Sequence, residues 1–400
     1  MTNRLMETAC ARLCLLTPIA WDESMPPLFS RMAVRRMMEC GALSGLVLRR
    51  TDMLPQATFE RAEMLLTRTS DALLCLEAYE KQGYRLILPE SREWPKALRA
   101  LGGREPLFLF MKGNAALLER RTVAVAGSRE IAPATNDMAA RLGAMLAEEG
   151  ITMVCGGARG VDRAAQDALL DADGSLILVP AVSAEQACAR EKEAAALQTG
   201  RLLLLSETLP DAPFSAARAL ARNHTIYALG KNAIVVAARN GVGGSWRGAT
   251  AGLCGNFSSV YVPDGDGADF EGNRALFEYG ARRIDLSGKR TIGEQLCVED
   301  MRIDADDLEQ LIAHVVEQTI ARLLELLVAA HVLDAMELVE QVAMNTGIGQ
   351  QRLGMLGLRI LLRIRANVVM DKLACCIGEL GVRRQIGALQ VGGDVDARIH

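Results

Sequence analysis

Between residues 89 and 290 short strand-like aliphatic runs alternate with helical stretches, and this alternation leaves the chain few folds to adopt. "RTVAVAG" (121–127) reads as a buried strand that turns at a glycine, and "ITMVCGG" (151–157) as the next one. Between them "ATNDMAARLGAMLAEEG" (134–150) has amphipathic spacing and a glycine stop at Gly150. A helix follows over 161–171, then the strands "SLILVP" (175–180) and "RLLLLSE" (201–207). A helix near 215–229 and the strands "AIVVAA" (233–238) and "SSVYVP" (258–263) complete the series. Strands separated by helices of 10–15 residues imply βαβ units and a parallel sheet. The expected fold is therefore α/β: a Rossmann-like doubly wound parallel sheet flanked by N- and C-terminal helical domains. Half of the residues are hydrophobic but only 4% are aromatic. An aliphatic core of that kind suits parallel strands covered on both faces.

The flanks have a different texture. Residues 1–88 place apolar side chains at helical spacing, as at Met64, Leu65, Ala72, Leu73, Leu76 and Tyr79, with Gly83 as a stop. Residues 291–400 are again helical and aliphatic, with one long amphipathic helix over 306–331. Residues 337–364 have the outline of a helix-turn-helix. Its second helix is too apolar to read a groove, which favours a packing or dimerisation domain over a working winged helix. Three domains, 1–88, 89–290 and 291–400, agree with a length of 400 residues.

Several classes are disfavoured. No apolar run reaches the roughly 18–20 residues of a membrane span, and "MTNRLMETACAR" lacks a signal-peptide pattern, so the expectation is a cytoplasmic protein. The ten cysteines form no CxxC pair, and the four histidines (His224, His314, His331, His400) lie far apart, so neither a metal nor a cofactor is expected. A formal net charge of −4 means that any nucleic-acid surface has to be local.

Three loops carry the chemistry. Gly127-Ser128-Arg129 follows the first strand of the series and offers a close backbone turn, a hydroxyl and a guanidinium. "CGGARGVD" (155–162) brackets Arg159 with Gly156, Gly157 and Gly160 just before a helix start, and amide groups there with an arginine form a phosphate cradle. "GVGGSWRGAT" (241–250) repeats the design with Gly244, Ser245, Trp246 and Arg247. One glycine turn after a strand is usually structural; three in one sheet, each with an arginine, point to an anion pocket. Charge counting agrees. From 212 to 263, a window of 52 residues, there is no acid, where about six would be expected from 49 acids in 400 residues. The same window keeps Arg218, Arg222, Lys231, Arg239 and Arg247, which fits a polyanion footprint. Asp162 reads as a helix cap rather than a catalytic acid. Glu207 reads as a loop-fixing acceptor. Trp246 either stacks on a base or packs under its loop.

In this order these residues resemble the DNA-processing protein A (DprA/Smf) family from about 94 to 281. The likeness rests on "WPKAL" (94–98), "PLFLFMKGN" (106–114), Gly127-Ser128-Arg129, "CGGARGVDRAA" (155–165), Ser206-Glu207, Arg222-Asn223 and "GNRALFEYGA" (272–281). Departures mark a divergent member. Gln166 stands for the family's histidine, His224 for the last arginine of R-N-R, and Ala237 for the glutamate after a late strand. Gly243–Ala249 replaces S-G-[ST]-x-x-T-A. The resemblance implies a non-enzymatic homodimer that binds single-stranded DNA without sequence preference and loads the RecA recombinase during uptake of transforming DNA. It implies a DNA site of Arg129, Gly156, Gly157, Arg159, Arg222, Asn223 and the 243–247 loop; Ser128, Gly160 and Lys231 join it as neighbouring phosphate-binding residues.

Rival readings use the same sheet. A nucleotide hydrolase resembling the phosphoribohydrolases would need P-G-G-x-G-T-x-x-E, and after "GVGGSWRGATAG" no glutamate occurs until Glu271. No G-x-G-x-x-G follows the first strand, which disfavours a dinucleotide enzyme. A non-catalytic sensor of a nucleotide ligand remains the alternative. The DNA reading places Gly127, Gly156 and Gly244 at one sheet edge and brings Arg129, Arg159, Arg222 and Arg247 into one pocket; a structure with these loops on opposite edges would remove the pocket.

Overall fold

The aliphatic runs lie at the centre of a nine-stranded mixed sheet in a computed structural model, which describes residues 3–43 and 54–296. Among the described residues the helices α1 (Asn3–Leu16), α2 (Arg31–Glu39), α3 (Gln56–Leu66) and α4 (Thr69–Lys81) lead. The strands are β1 (Arg85–Ile87), β2 (Leu109–Gly113), β3 (Thr122–Ala126), β4 (Thr152–Cys155), β5 (Leu176–Leu178), β6 (Leu202–Ser206), β7 (Asn232–Val235), β8 (Ser259–Pro263) and β9 (Arg282–Ile284). Between them run α5 (Pro133–Glu148), α6 (Val161–Asp171), α7 (Ala184–Ala187), α8 (Glu191–Gln198), α9 (Ala216–Gly230), α10 (Gly243–Cys254) and α11 (Glu271–Glu278), and α12 (Ile292–Leu296) follows β9.

The strand order is β1-β2-β6-β5-β4-β3-β7-β8-β9. All pairs are parallel except β1 with β2 and β2 with β6, so the sheet is doubly wound with an antiparallel margin. The chain starts this winding at β3, moves outward through β4, β5 and β6, and then returns to the other side of β3 as β7. The strand order therefore reverses between β3 and β7. There the loops leaving the two carboxyl ends diverge and open a crevice.

Burial explains the strand composition. β4 is Thr-Met-Val-Cys with every residue buried, and β6 is Leu-Leu-Leu-Leu-Ser likewise. Strands covered on both faces gain from apolar side chains at every position rather than at alternate ones. One face packs under α5 and α6 through Leu142, Leu146, Val161 and Leu169. The other packs under α9, α10 and α11 through Ile226, Trp246 and Leu276.

The helical module expected over 1–88 is continuous with this architecture. Leu13, Leu65 and Tyr79 belong to the same apolar core as Phe110 and Leu146. Polar ties cross over as well. The buried Arg12 donates to the Leu107 carbonyl at 2.8 Å and pairs with Glu90, Tyr79 donates to Asp211 at 2.7 Å, and Arg31 reaches Glu207 at 2.6 Å. β1 already lies within that module. The helices expected over 306–331 and 337–364 lie outside the described residues.

Elsewhere the structure adds what spacing alone did not show. β1, β2 and β9 are absent from the strand series read along the sequence. "GVGGSWRGAT" is a loop only as far as Val242; from Gly243 it is α10, whose Trp246 and Ala249 face the core.

α5 crosses closely over α6. A β-carbon at Gly143 would overlap the carbonyl of Ala165. Gly143→Ala is expected to cost about 1–3 kcal/mol by overpacking, measured as a lower midpoint of chemical denaturation at unchanged slope.

Candidate functional site

β3, β4 and β7 run parallel, so their carboxyl ends, and with them Gly127, Gly156 and the approach to Gly244, share one edge of the sheet. The loops there are laced by backbone contacts. After β3, the Ser128 amide donates to the Ala237 carbonyl beyond β7 at 2.9 Å, and the Ser128 carbonyl accepts from the Val161 amide at 3.2 Å. Gly127 has no room for a side chain, because a β-carbon would strike Val161. Gly160 precedes α6 at φ 80° and packs its Cα against the Ser128 carbonyl, a position open to glycine alone.

The loop after β4 is held from two directions. Asp162, buried in the first turn of α6, accepts from the Gly156 amide at 3.1 Å and the Ala158 amide at 3.3 Å. From α9, Arg222 donates to the Gly156 carbonyl at 3.4 Å, and a β-carbon at Gly156 would overlap its guanidinium. Arg222 is only 7% exposed, and its Nε has no partner. Burial pulls its pKa down, opposed by the nearby charges of Asp162 and Glu207. Burial likewise raises the Asp162 pKa, opposed by Arg222, the two amides and Arg129. The helix cap proper is Gly160, so Asp162 clamps the preceding loop instead of capping α6. Glu207, at the end of β6, accepts from Thr225 of α9 at 2.5 Å and from Arg31 at 2.6 Å, and so fixes its surroundings.

α9 also sets the start of α10. Asn223 donates to the Gly244 carbonyl and Tyr227 to the Ser245 carbonyl, both at 3.1 Å. Between these loops and α9 lies a cavity of about 400 Å³ at the switch point. Its wall holds Gly127, Ser128, Arg129, Arg222, Asn223, Gly244 and Ser245 from the residues singled out in the sequence. Gly156, Gly157 and Gly160 shape the loop at its base, with Gly157 at φ 64° closing on Leu178.

Other expected members are elsewhere. Arg159 and Arg247 are exposed and do not line the cavity, so two of the four arginines converge there rather than all four. Trp246 is buried with its ring 5.6 Å from that of Tyr279 and packs under its segment instead of offering a stacking face. Lys231 follows α9 and precedes β7, at the amino edge of the sheet, away from the cavity. The acid-free stretch is not free of acids in space. Glu207 and Asp162 act on Arg222, and Glu130 pairs with Arg239. Sequence reasoning missed Glu130, Tyr227, Leu220 and Val242, and counted Arg239 without placing it in the site; all five line the cavity. The signal within reach was the helical spacing of Ala219, Asn223, Ile226 and Tyr227, one face of α9. Among the described residues no group of three His, Cys, Asp or Glu could hold a metal, and no helix is long and apolar enough to cross a membrane.

A doubly wound sheet with a glycine-walled cavity at its switch point defines a Rossmann-like fold. Residues 85–294 match the family described as DNA recombination-mediator protein A, and the chain belongs to that family. Over 116 residues it is 39% identical to a DNA processing protein DprA of Mycobacterium tuberculosis, strain H37Rv, and the match spans 26% of this chain and 30% of that relative's length. Two solved structures are also similar. DNA processing protein A from Streptococcus pneumoniae is 20% identical, with a TM-score of 0.49 over 68% of this chain and 98% of that one. The Helicobacter pylori protein, described for its single-stranded DNA binding mode, is 26% identical, with a TM-score of 0.44 over 51% and 92%.

Asp162→Ala would leave a buried guanidinium without its acid and two amides without an acceptor. It is expected to cost roughly 3–5 kcal/mol, seen as a large drop in melting temperature, with a smaller drop for Asp162→Asn, which keeps an acceptor.

Proposed function

We propose that this cavity grips the phosphate backbone of single-stranded DNA, without reading base sequence and without chemical turnover. One observation carries the reading: the buried Arg222, which donates to the Gly156 carbonyl, and the exposed Arg129 line the same switch-point cavity. A buried cation and an exposed one on the same cavity fit a phosphodiester, and phosphate contacts set affinity without carrying base information. The apolar wall of Ala219, Leu220 and Val242 offers a face to the attached bases. The acids in and beside the cavity are all engaged, Asp162 and Glu207 in holding loops and Glu130 in an ion pair with Arg239, which argues against a general acid or base. Family membership supports extending the proposal to a cytoplasmic homodimer that delivers the bound strand to the RecA recombinase.

A second reading has its own support. A cavity of about 400 Å³ has room for a single nucleotide, as a non-catalytic sensor would require.

Titration with oligonucleotides of several lengths, single- and double-stranded, and with mononucleotides separates the two. The DNA reading expects affinity that grows with strand length and is equal for homopolymeric and mixed sequences. Arg129→Ala is expected to reduce the salt slope by about 0.7, the single-strand value for one phosphate. Saturable 1:1 mononucleotide binding with no dependence on length would replace DNA with a nucleotide ligand. Turnover of nucleotide or DNA that vanishes in Asp162→Asn or Glu207→Gln would contradict the absence of catalysis.

A further inference from the structure

One contact at the cavity wall is unexplained by loop packing. Glu130, next to Arg129, accepts from the Arg239 guanidinium at 2.7 Å, so the ion pair joins the loop after β3 to the loop after β7. Both residues line the cavity, and both side chains are exposed, at 75% and 59%. An acid here opposes anion binding, and a surface ion pair of this exposure contributes little stability to offset that.

The backbones beneath the pair are anchored. Arg239 follows Ala238, whose carbonyl accepts from the Gly272 amide at 2.8 Å, and Gly272 packs too closely on that segment to carry a side chain. Glu130 follows the Ser128-Arg129 turn, which is pressed against Gly160. The side chains are therefore the parts free to exchange partners.

We propose that Glu130 is a built-in competitor for phosphate: its carboxylate occupies Arg239 in the free protein, and a phosphate of the bound strand displaces it and takes Arg239 as a further contact. The inference rests on the phosphate-binding reading of the cavity and adds to it a latent cation with its own gate. A guanidinium exchanges one oxyanion for another without loss of hydrogen bonding, so the exchange favours a strand that supplies phosphates to Arg129 and Arg239 together. Single-phosphate ligands gain less from opening the pair, which makes Glu130 a discriminator against mononucleotides.

The test is a salt-dependent titration of the full chain with a single-stranded homopolymer, using wild type, Arg129→Ala, Glu130→Gln, Arg239→Ala and the Glu130→Gln/Arg239→Ala double variant. Glu130→Gln is expected to tighten binding about two- to fivefold at low salt, the range that corresponds to a surface ion pair. The salt slope of Glu130→Gln is expected to stay close to that of wild type, because a phosphate reaches Arg239 in both, whereas Arg239→Ala is expected to lower it by about 0.7, the value for one phosphate contact. In the Arg239→Ala background the tightening by Glu130→Gln is expected to disappear. A wild-type slope in Arg239→Ala overturns the proposal, since no phosphate then reaches Arg239. So does an equal tightening with and without Arg239, which would mean that only the overall charge had changed. The Arg129→Ala arm keeps the two readings apart. If that variant weakens binding while Glu130→Gln changes nothing, the gate alone falls; if it binds like wild type, the phosphate cavity falls with it.

Discussion

The peptide unit at Gly156 is where the structure is most constrained. Its amide donates to Asp162, its carbonyl accepts from Arg222, and the space of its missing β-carbon is filled by the Arg222 guanidinium. Two opposite charges are thereby buried at the end of β4, each costly alone and tolerable only because the other and the backbone satisfy it. Once Gly156 is placed, α6 is tied to its preceding loop and α9 to the sheet edge. The cavity wall follows, because Asn223 and Tyr227 on α9 hold the first turn of α10.

The glycines of the three loops accordingly work in a way the phosphate-cradle pattern does not describe. Gly127, Gly156 and Gly160 are required because Val161, Arg222 and the Ser128 carbonyl lie where their β-carbons would be. They let the loops after β3 and β4 and helix α9 approach closely enough to surround a cavity, and the charged groups that line it are side chains beside them. The functional pattern and the packing pattern coincide because a site made of converging loops needs both.

The N-terminal helices contribute at a distance. Arg31 at the start of α2 holds Glu207, and Glu207 holds Thr225 on the helix that carries Arg222 and Asn223. The module is thus a buttress for α9 as well as a cover for one sheet face. Its buried Arg68, which donates to the carbonyls of Cys14, Thr17, Ile19 and Leu65, closes the turns that the helices leave open.

The alternation of aliphatic runs and amphipathic stretches was sufficient to identify the doubly wound sheet, since strands buried on both faces and helices buried on one leave different periods in a sequence. The ends of β3 and β4 were legible for the same reason, marked by Gly127 and Gly156. The strands β1, β2 and β9, which lie outside the alternating series at the two sides of the sheet, were not read from the sequence. The fates of the basic residues could not be read along the chain. Arg222, Arg239, Lys231 and Arg247 share one acid-free stretch, yet one is buried against Asp162, one pairs with Glu130, one lies at the opposite sheet edge and one projects from α10 into solvent. Trp246 turned inward because α10 begins at Gly243 and its helical period points that ring at Tyr279. Local order determined which elements form and which edge carries the glycines. Only the tertiary structure decided which charges meet, because the acids that neutralise them come from segments distant in sequence that the sheet topology brings alongside.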